Sequence, residues 1–114
     1  MQSTKRLVSV VIPCLNEEKM VAKCLDSLVE SDYPKNALEV WVVDGLSEDR
    51  SREIVAEYGL RFPFIHLIDN PRRSQQTALN LGICQARGEA IIRMDAHCAF
   101  TKNYISECVR HLEE

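Results

Sequence analysis

Four glycines in 114 residues leave this chain without a glycine-rich phosphate loop. Gly45, Gly59, Gly82 and Gly88 stand apart and complete neither a G-x-G-x-x-G nor a P-loop pattern. Dinucleotide oxidoreductases and P-loop NTPases cradle phosphate on such backbone, so both classes lose their support. Long apolar runs are also missing, and nothing approaches the roughly 20 residues of a membrane-spanning helix. The lead from Met1 to Arg6 is polar and passes straight into a strand, so it does not read as a signal peptide. Positive charge is scarce too. The formal net charge is -3, whereas a general nucleic-acid binder needs a basic face for the phosphates. Nucleic acid is therefore not an expected partner.

No C-x-x-C pair occurs among the five cysteines Cys14, Cys24, Cys84, Cys98 and Cys108. Their odd number and wide spacing point to reduced cytosolic thiols packed as small apolar residues. A zinc site from His97, Cys98, Cys108 and His111 fits no ligand-knuckle spacing.

What is present describes a folded α/β chain. Hydrophobic residues make up 46% and charged residues 27%, a globular balance. The length suits one domain over residues 1–114. Leu7 to Ile12 is a short β-rich run closed by Pro13. From Glu17 to Glu30, Val21, Cys24, Leu25, Leu28 and Val29 mark one helical face, with Asn16 as N-cap. Glu17 and Glu18 suit the positive end of that helix. Leu38 to Val43 is a second strand ending at Asp44, and Ser47 or Asp49 can cap a helix that stops at Gly59. Phe62 to Ile68 reads as a shorter or edge strand. Ser74 caps a third helix stopped by Gly88, and Ala90 to Met94 is a fourth strand ending at Asp95. Thr101 caps a last helix with Ile105, Cys108, Val109 and Leu112 on its apolar face. Strands separated by helices run parallel with right-handed crossovers. The expected fold is an open, mostly parallel sheet with helices on both faces, a Rossmann-like arrangement.

In such a sheet, ligands bind beyond the carboxyl ends of the strands. Three strands end there in polar clusters: Pro13-Cys14-Leu15-Asn16-Glu17, Asp44-Gly45-Leu46-Ser47 and Asp95-Ala96-His97. Taken singly, Asn16 and Glu17 suit a helix start, Asp44 a turn, and Asp95 with His97 a surface loop. Taken together, and if neighbouring strands carry them, they converge on one region. Asp44 can accept a nucleobase imide N–H or ribose hydroxyls. Asp95 and His97, one residue apart, can hold Mg2+ or Mn2+ while leaving positions open for phosphate oxygens. Such a metal would neutralise a departing diphosphate.

These residues carry a resemblance. Val8-Ser9-Val10-Val11-Ile12-Pro13-Cys14-Leu15-Asn16-Glu17-Glu18 resembles the opening of family 2 inverting glycosyltransferases of the GT-A fold. Trp41-Val42-Val43-Asp44-Gly45-Leu46-Ser47-Glu48-Asp49 is similar to their second-strand motif, V-D-D-G-S-x-D. Asn70 to Gly88 resembles their third helix, and Ile92-Arg93-Met94-Asp95-Ala96-His97 falls at their D-x-D. The D-A-H version is similar to the bacterial exopolysaccharide branch of the succinoglycan-synthesis type.

The resemblance implies transfer of a sugar from a nucleotide-diphosphate sugar, with a UDP-sugar first in line, in polysaccharide or cell-envelope glycan synthesis. Pro13, Asn16, Glu17, Asp44, Gly45 and Asp95 would bind the nucleotide sugar, Asp44 at the base and Asp95 at the ribose and diphosphate. Asp95 and His97 would ligate the metal, and Arg72 or Arg73 would reach the diphosphate. His97 replaces the second aspartate of D-x-D, so the site carries one negative charge fewer.

The family's acceptor site and general base lie beyond its D-x-D. The chain is therefore expected to be an N-terminal donor-binding part, inactive alone, with no assignable catalytic residue. Glu107, Glu113 and Glu114 suit solvated positions instead. Uncovered apolar surface at Cys108, Val109 and Leu112 would favour a homo-oligomer. The expected location is cytoplasmic, or the cytoplasmic membrane face, with any membrane association carried by further chain. The alternative is a non-catalytic nucleotide-binding or interaction module. A receiver-type domain would need an acidic pair where Pro13 stands, and a nucleotidyltransferase a glycine- and lysine-rich first loop that is absent.

Overall fold

The computed structural model describes residues 6–113. Met1 to Lys5, most of the polar lead, and the final Glu114 lie outside the described residues. Strands and helices alternate as the periodicity predicts. They are β1 (Val8–Cys14), α1 (Val21–Val29), β2 (Leu38–Asp44), α2 (Ser51–Arg61), β3 (Ile65–Asp69), α3 (Gln75–Gln85), β4 (Ala90–Arg93) and α4 (Tyr104–Glu113).

The strands pair in parallel in the order β3-β2-β1-β4. From β1 the chain steps outward through β2 to β3, then returns to place β4 on the other side of β1. Strand order thus reverses between β1 and β4, which makes their carboxyl ends a topological switch point. Register aligns the ends: Cys14 lies opposite Asp44, and Asp44 opposite Asp69. β3 lies at an edge, as its Pro63-containing approach predicts. The three polar strand ends, on β1, β2 and β4, are therefore neighbours.

Alternation along each strand sorts the core into two layers. Val8, Val10, Ile12, Val40 and Val42 point to one face, where α1, α2 and α4 bury Leu25, Leu28, Val55, Tyr58, Ile105 and Val109 against them. Each fully buried aliphatic side chain there contributes roughly 1.5–3 kcal/mol relative to exposure. Val11 and Val43 point to the other face, which α3 covers through Ala78 and Leu79. A Cβ on Gly82 would sit 2.4 Å from Val11 Cγ1, so glycine lets α3 lie directly on β1. Helices do flank both faces, but unevenly. α3 covers β1 and β2, while β4 keeps Ile91 and Arg93 exposed on that side. Val109 of the expected apolar patch is buried and Cys108 partly buried, whereas Leu112 is exposed.

Several boundaries shift for physical reasons. β1 runs through Pro13 to Cys14. Val11 C=O faces β4, where it accepts from Met94 N–H. By alternation, the N–H that Pro13 lacks would face the side where β4 has already ended, so no ladder bond is lost. α1 starts at Val21 rather than Glu17, with Met20 at its N-cap position. Asn16 does not cap it, because Asn16 has a left-handed backbone (φ 54°) rather than the extended one a cap requires. α2 runs past Gly59 to Arg61, and α3 stops at Gln85, before Gly88. Gly59 and Gly88 are not left-handed terminators. A Cβ on Gly88 would lie 2.6 Å from Ser9 N, so close approach explains that glycine. Cys14 and Cys24 are packed as small buried residues, but Cys84 is exposed.

Candidate functional site

The loops leaving β1 and β2 are stitched together. Asn16 N–H donates to Ser47 Oγ at 2.8 Å, and Glu48 N–H to Asn16 Oδ1 at 2.8 Å. Glu17 N–H donates to Ser51 Oγ at 2.7 Å and Glu18 N–H to Asp49 Oδ2 at 3.1 Å. The polar residues after β1 thus spend their backbone donors on the second loop rather than on a helix start. Burial opposes ionisation of Asp49, but bonds from Ser51 and Glu18 outweigh it and hold its carboxyl below the usual range.

Asp44 sits fully buried beneath this seam. Its Oδ1 accepts from Ser47 Oγ at 2.6 Å, and its Oδ2 from Ser47 N–H at 2.7 Å and Arg52 Nη1 at 3.3 Å. Arg52 also binds Asp69 at the end of β3. The bond to Asp69 leads in keeping the guanidinium firmly charged, against the cost of burial. Arg52 was not legible as a site residue, because on its helix it reads as an ordinary solvated arginine. Asp44 therefore organises its loop first, and Gly45 rather than Asp44 lines the neighbouring cleft.

A cleft of ≈ 250 Å³ opens beside Gly45, between the carboxyl ends of β1 and β2 and the start of α3. Of the sequence candidates, Pro13, Glu17 and Gly45 line it, whereas Asn16, Asp44 and Asp95 do not. Arg73 lines it and Arg72 does not, which separates the two arginines. Arg73 adopts a left-handed backbone (φ 65°) and pairs loosely with Glu48 at 3.7 Å. Ser74 and Gln75 complete the wall. Ser74 caps α3 as expected, its side chain accepting from Thr77 N–H. The positive end of α3 thereby faces the cleft, a setting suited to an anion. Cys14 also lines the cleft. Burial, reinforced by Asp44 and Glu17, pushes its thiol up to about 12, so it stays neutral. All three non-glycine residues with positive φ among the described residues, Asn16, Leu46 and Arg73, lie in the loops around this cleft. Strain of this kind persists where the surroundings over-determine it, and it clusters at functional sites.

The loop after β4 stands alongside. Asp95 pairs with Arg93 Nη2 at 3.5 Å, and Arg93 Nη2 also donates to Gln75 Oε1 at 3.1 Å. Arg93 therefore links the β4 acid to the cleft wall. Its signal was only its period-two spacing from Asp95. His97 Nδ1 lies 3.1 Å from Glu17 Oε2. Glu17 thus belongs both to the cleft and to the β4 loop. Ligand atoms of Asp95, His97 and Cys98 lie within 4.8 Å of one another. The Asp95 and His97 side chains are 44% and 56% exposed, so an ion can reach them. Oxygen and nitrogen donors this close fit a divalent cation. The four-residue zinc set is not assembled; of its members, His97 and Cys98 meet at Asp95.

Comparison with known proteins identifies the family and the fold. The sequence profile of "Glycosyl transferase family 2" matches residues 9–114. A Methanococcus voltae dolichyl N-acetyl-alpha-D-glucosaminyl phosphate 3-beta-D-2,3-diacetamido-2,3-dideoxy-beta-D-glucuronosyltransferase is 35% identical over 113 residues, covering 94% of this chain and 35% of that protein. The succinoglycan biosynthesis protein ExoA of Rhizobium meliloti is 36% identical over 107 residues, covering 92% of this chain and 31% of its own length. The structure of the Pyrobaculum calidifontis mannosyltransferase PcManGT, solved with GDP-Man and Mn2+, superposes with a TM-score of 0.89 at 31% identity. That match covers 97% of this chain and 34% of the mannosyltransferase. The chain thus spans about a third of the length of each of these three relatives. The fold is that of the GT-A glycosyltransferases, and the chain belongs to glycosyl transferase family 2.

Proposed function

We propose that residues 1–114 form one nucleotide-sugar-binding domain of a glycosyltransferase. In this reading the cleft beside Gly45 takes a nucleoside-diphosphate sugar, with a UDP-sugar as the first candidate, for glycan synthesis at the cytoplasmic side. The observation that carries it is the superposition on a mannosyltransferase holding GDP-Man and Mn2+. The site's own chemistry supports it. Pro13, Glu17 and Gly45 line the cleft, and Arg73 with the amino end of α3 supplies positive potential for a diphosphate. Asn16 and Asp44 act from behind, holding the two loops in shape. Asp95 and His97 would hold Mn2+ or Mg2+, which supplies charge neutralisation for a leaving diphosphate. Arg93, bonded to Gln75 of the cleft wall, and Glu17, which itself lines the cleft, pair with those two side chains. No residue of the chain is assigned as general base, and donor binding is the part of sugar transfer assigned to this chain. Leu112, exposed on α4, is the residue through which we would expect copies of the chain to associate.

Calorimetric titration with UDP and with GDP, each with Mn2+ and with chelator, tests the reading. Binding of at least one diphosphate that depends on metal and is lost in Asp95→Ala is expected. Absence of binding to either nucleotide in the presence of Mn2+ would sink it.

A further inference from the structure

We propose that Cys98 is a third metal ligand, and that Asp95, His97 and Cys98 together form a site preferring a thiophilic ion such as Zn2+ or Co2+ over Mg2+. The inference rests on the divalent-metal reading of the β4 loop, but not on the sugar or the nucleotide.

The turn itself brings the three donors together. Cys98 N–H closes it on Asp95 C=O at 3.1 Å. Ala96, between the two outer ligands, is buried and pins the turn to the core, as does Met94 before it. Asp95, His97 and Cys98 are left on the outer side, half-buried to exposed, with ligand atoms within 4.8 Å of one another. Ligands around a tetrahedral zinc stand about 3.5 Å apart, given metal–ligand bonds of roughly 2.0–2.3 Å. Closing the remaining gap takes about an ångström of side-chain rotation, which the exposure of Asp95 and His97 permits. Glu17 on His97 Nδ1 at 3.1 Å is a carboxylate of the kind that backs a ligating imidazole and orients its ring.

The donor set decides the preference. Mg2+ favours oxygen ligands and near-octahedral geometry. A carboxylate, an imidazole and a thiolate suit zinc or cobalt, and the fourth position stays open for water or a phosphate oxygen, as in catalytic zinc sites. Cys98 would bind with its thiol proton released to solvent. It also restores the negative charge that His97 removes from an Asp-x-Asp pair. The other cysteines do not compete in this cluster. Cys14 lies in the cleft wall and Cys24 beneath the turn, where its Sγ is 3.6 Å from Asp95 C=O and both thiols are buried.

The test is a titration of the 114-residue chain with Co2+, with and without UDP, read by absorption. A near-ultraviolet thiolate-to-cobalt charge-transfer band is expected. It should vanish in Cys98→Ser, persist in Cys84→Ser and Cys108→Ser, and be displaced by Zn2+ but not by excess Mg2+. Zn2+ affinity should fall roughly tenfold or more in Cys98→Ser, comparable at least to the loss of an outer-shell partner, with Mg2+ affinity unchanged. Peptide mapping of alkylation on the unmodified chain gives a readout free of mutation: Zn2+ should protect Cys98. Cobalt binding without a thiolate band, or a band that survives in Cys98→Ser, overturns the role of Cys98 and leaves the Asp95–His97 site standing. Failure of Mn2+, Co2+ and Zn2+ all to bind, with UDP present, overturns both.

Discussion

β2 carries a buried acid near each end, Glu39 and Asp44, and the two are held in opposite ways. Glu39 lies at the amino end, under the exit of α3. Its Oε2 accepts from Ser9 Oγ at 2.6 Å and from Arg87 N–H at 2.6 Å, while Ser9 Oγ accepts from Gly88 N–H at 2.8 Å. Burial opposes ionisation, yet the bonds from Arg87 N–H and Ser9 outweigh it, and the carboxyl is held below the usual range. This network ties β1, β2 and the α3–β4 turn together, with close-packed backbone at Gly88. Asp44 lies at the carboxyl end and is held by its own following loop and by Arg52. The backbone around it is strained at Asn16, Leu46 and Arg73, and the neighbouring acids Glu17 and Asp95 are partly open to solvent. The same residue chemistry thus ties secondary-structure elements together at one end and shapes the loop beside the cleft at the other. Ligands belong at the carboxyl end, where strand order reverses and the helix amino ends converge.

Glu39→Ala should break the structural end most sharply. It leaves the buried Ser9 hydroxyl without its acceptor and the Arg87 N–H unpaired, at a cost of about 3 kcal/mol, read as a lower urea midpoint. Nucleotide affinity of the folded protein should not change. A parallel loss of affinity would show the two ends to be coupled. The same carboxylate sets a pH limb. Its folded pKa is lowered, so its stabilisation is present above its ordinary value of 4.5 and lost as pH falls through the folded value. Glu39→Gln should flatten that limb in acid denaturation.

Gly82→Ala tests the element that reaches both ends. The added Cβ meets Val11 at 2.4 Å, so α3 must lift, at about 2 kcal/mol typical of overpacking. Because the start of α3 walls the cleft, calorimetric affinity should weaken as well, unlike in Glu39→Ala. Leu46→Gly should change stability least. Relief of a left-handed backbone, worth roughly 1–2 kcal/mol, is offset by the unfolded-state freedom of glycine, leaving the net within about 1 kcal/mol. Nucleotide binding should weaken more than thermal stability, because the loop over Asp44 loses its fixed shape. A large fall in Tm with unchanged affinity would reverse the assignment of that loop.

Much of the fold was legible along the chain, and so was the region of the site. Val8 to Ile12 and β2 residues such as Val40 and Val42 declare buried strands by composition, and Val21, Cys24, Leu25 and Leu28 declare a helical face by spacing. Local signals failed where a residue's partner is distant in sequence. Asn16 looks like a cap until Ser47 and Glu48 claim it, and Arg52 looks solvated until Asp44 and Asp69 do.

The sequence by itself determined the alternation of strands and helices, the polar strand ends at Asn16, Asp44 and Asp95, and the family to which those motifs belong. Only the tertiary structure decided which of those residues face the cleft, that Glu17 reaches His97, and that Cys98 lies beside Asp95 and His97. The reason is physical. Periodicity and turn chemistry act over a few residues, whereas a site is made by strand order and loop contacts that join residues 80 positions apart, as Glu17 and His97 are.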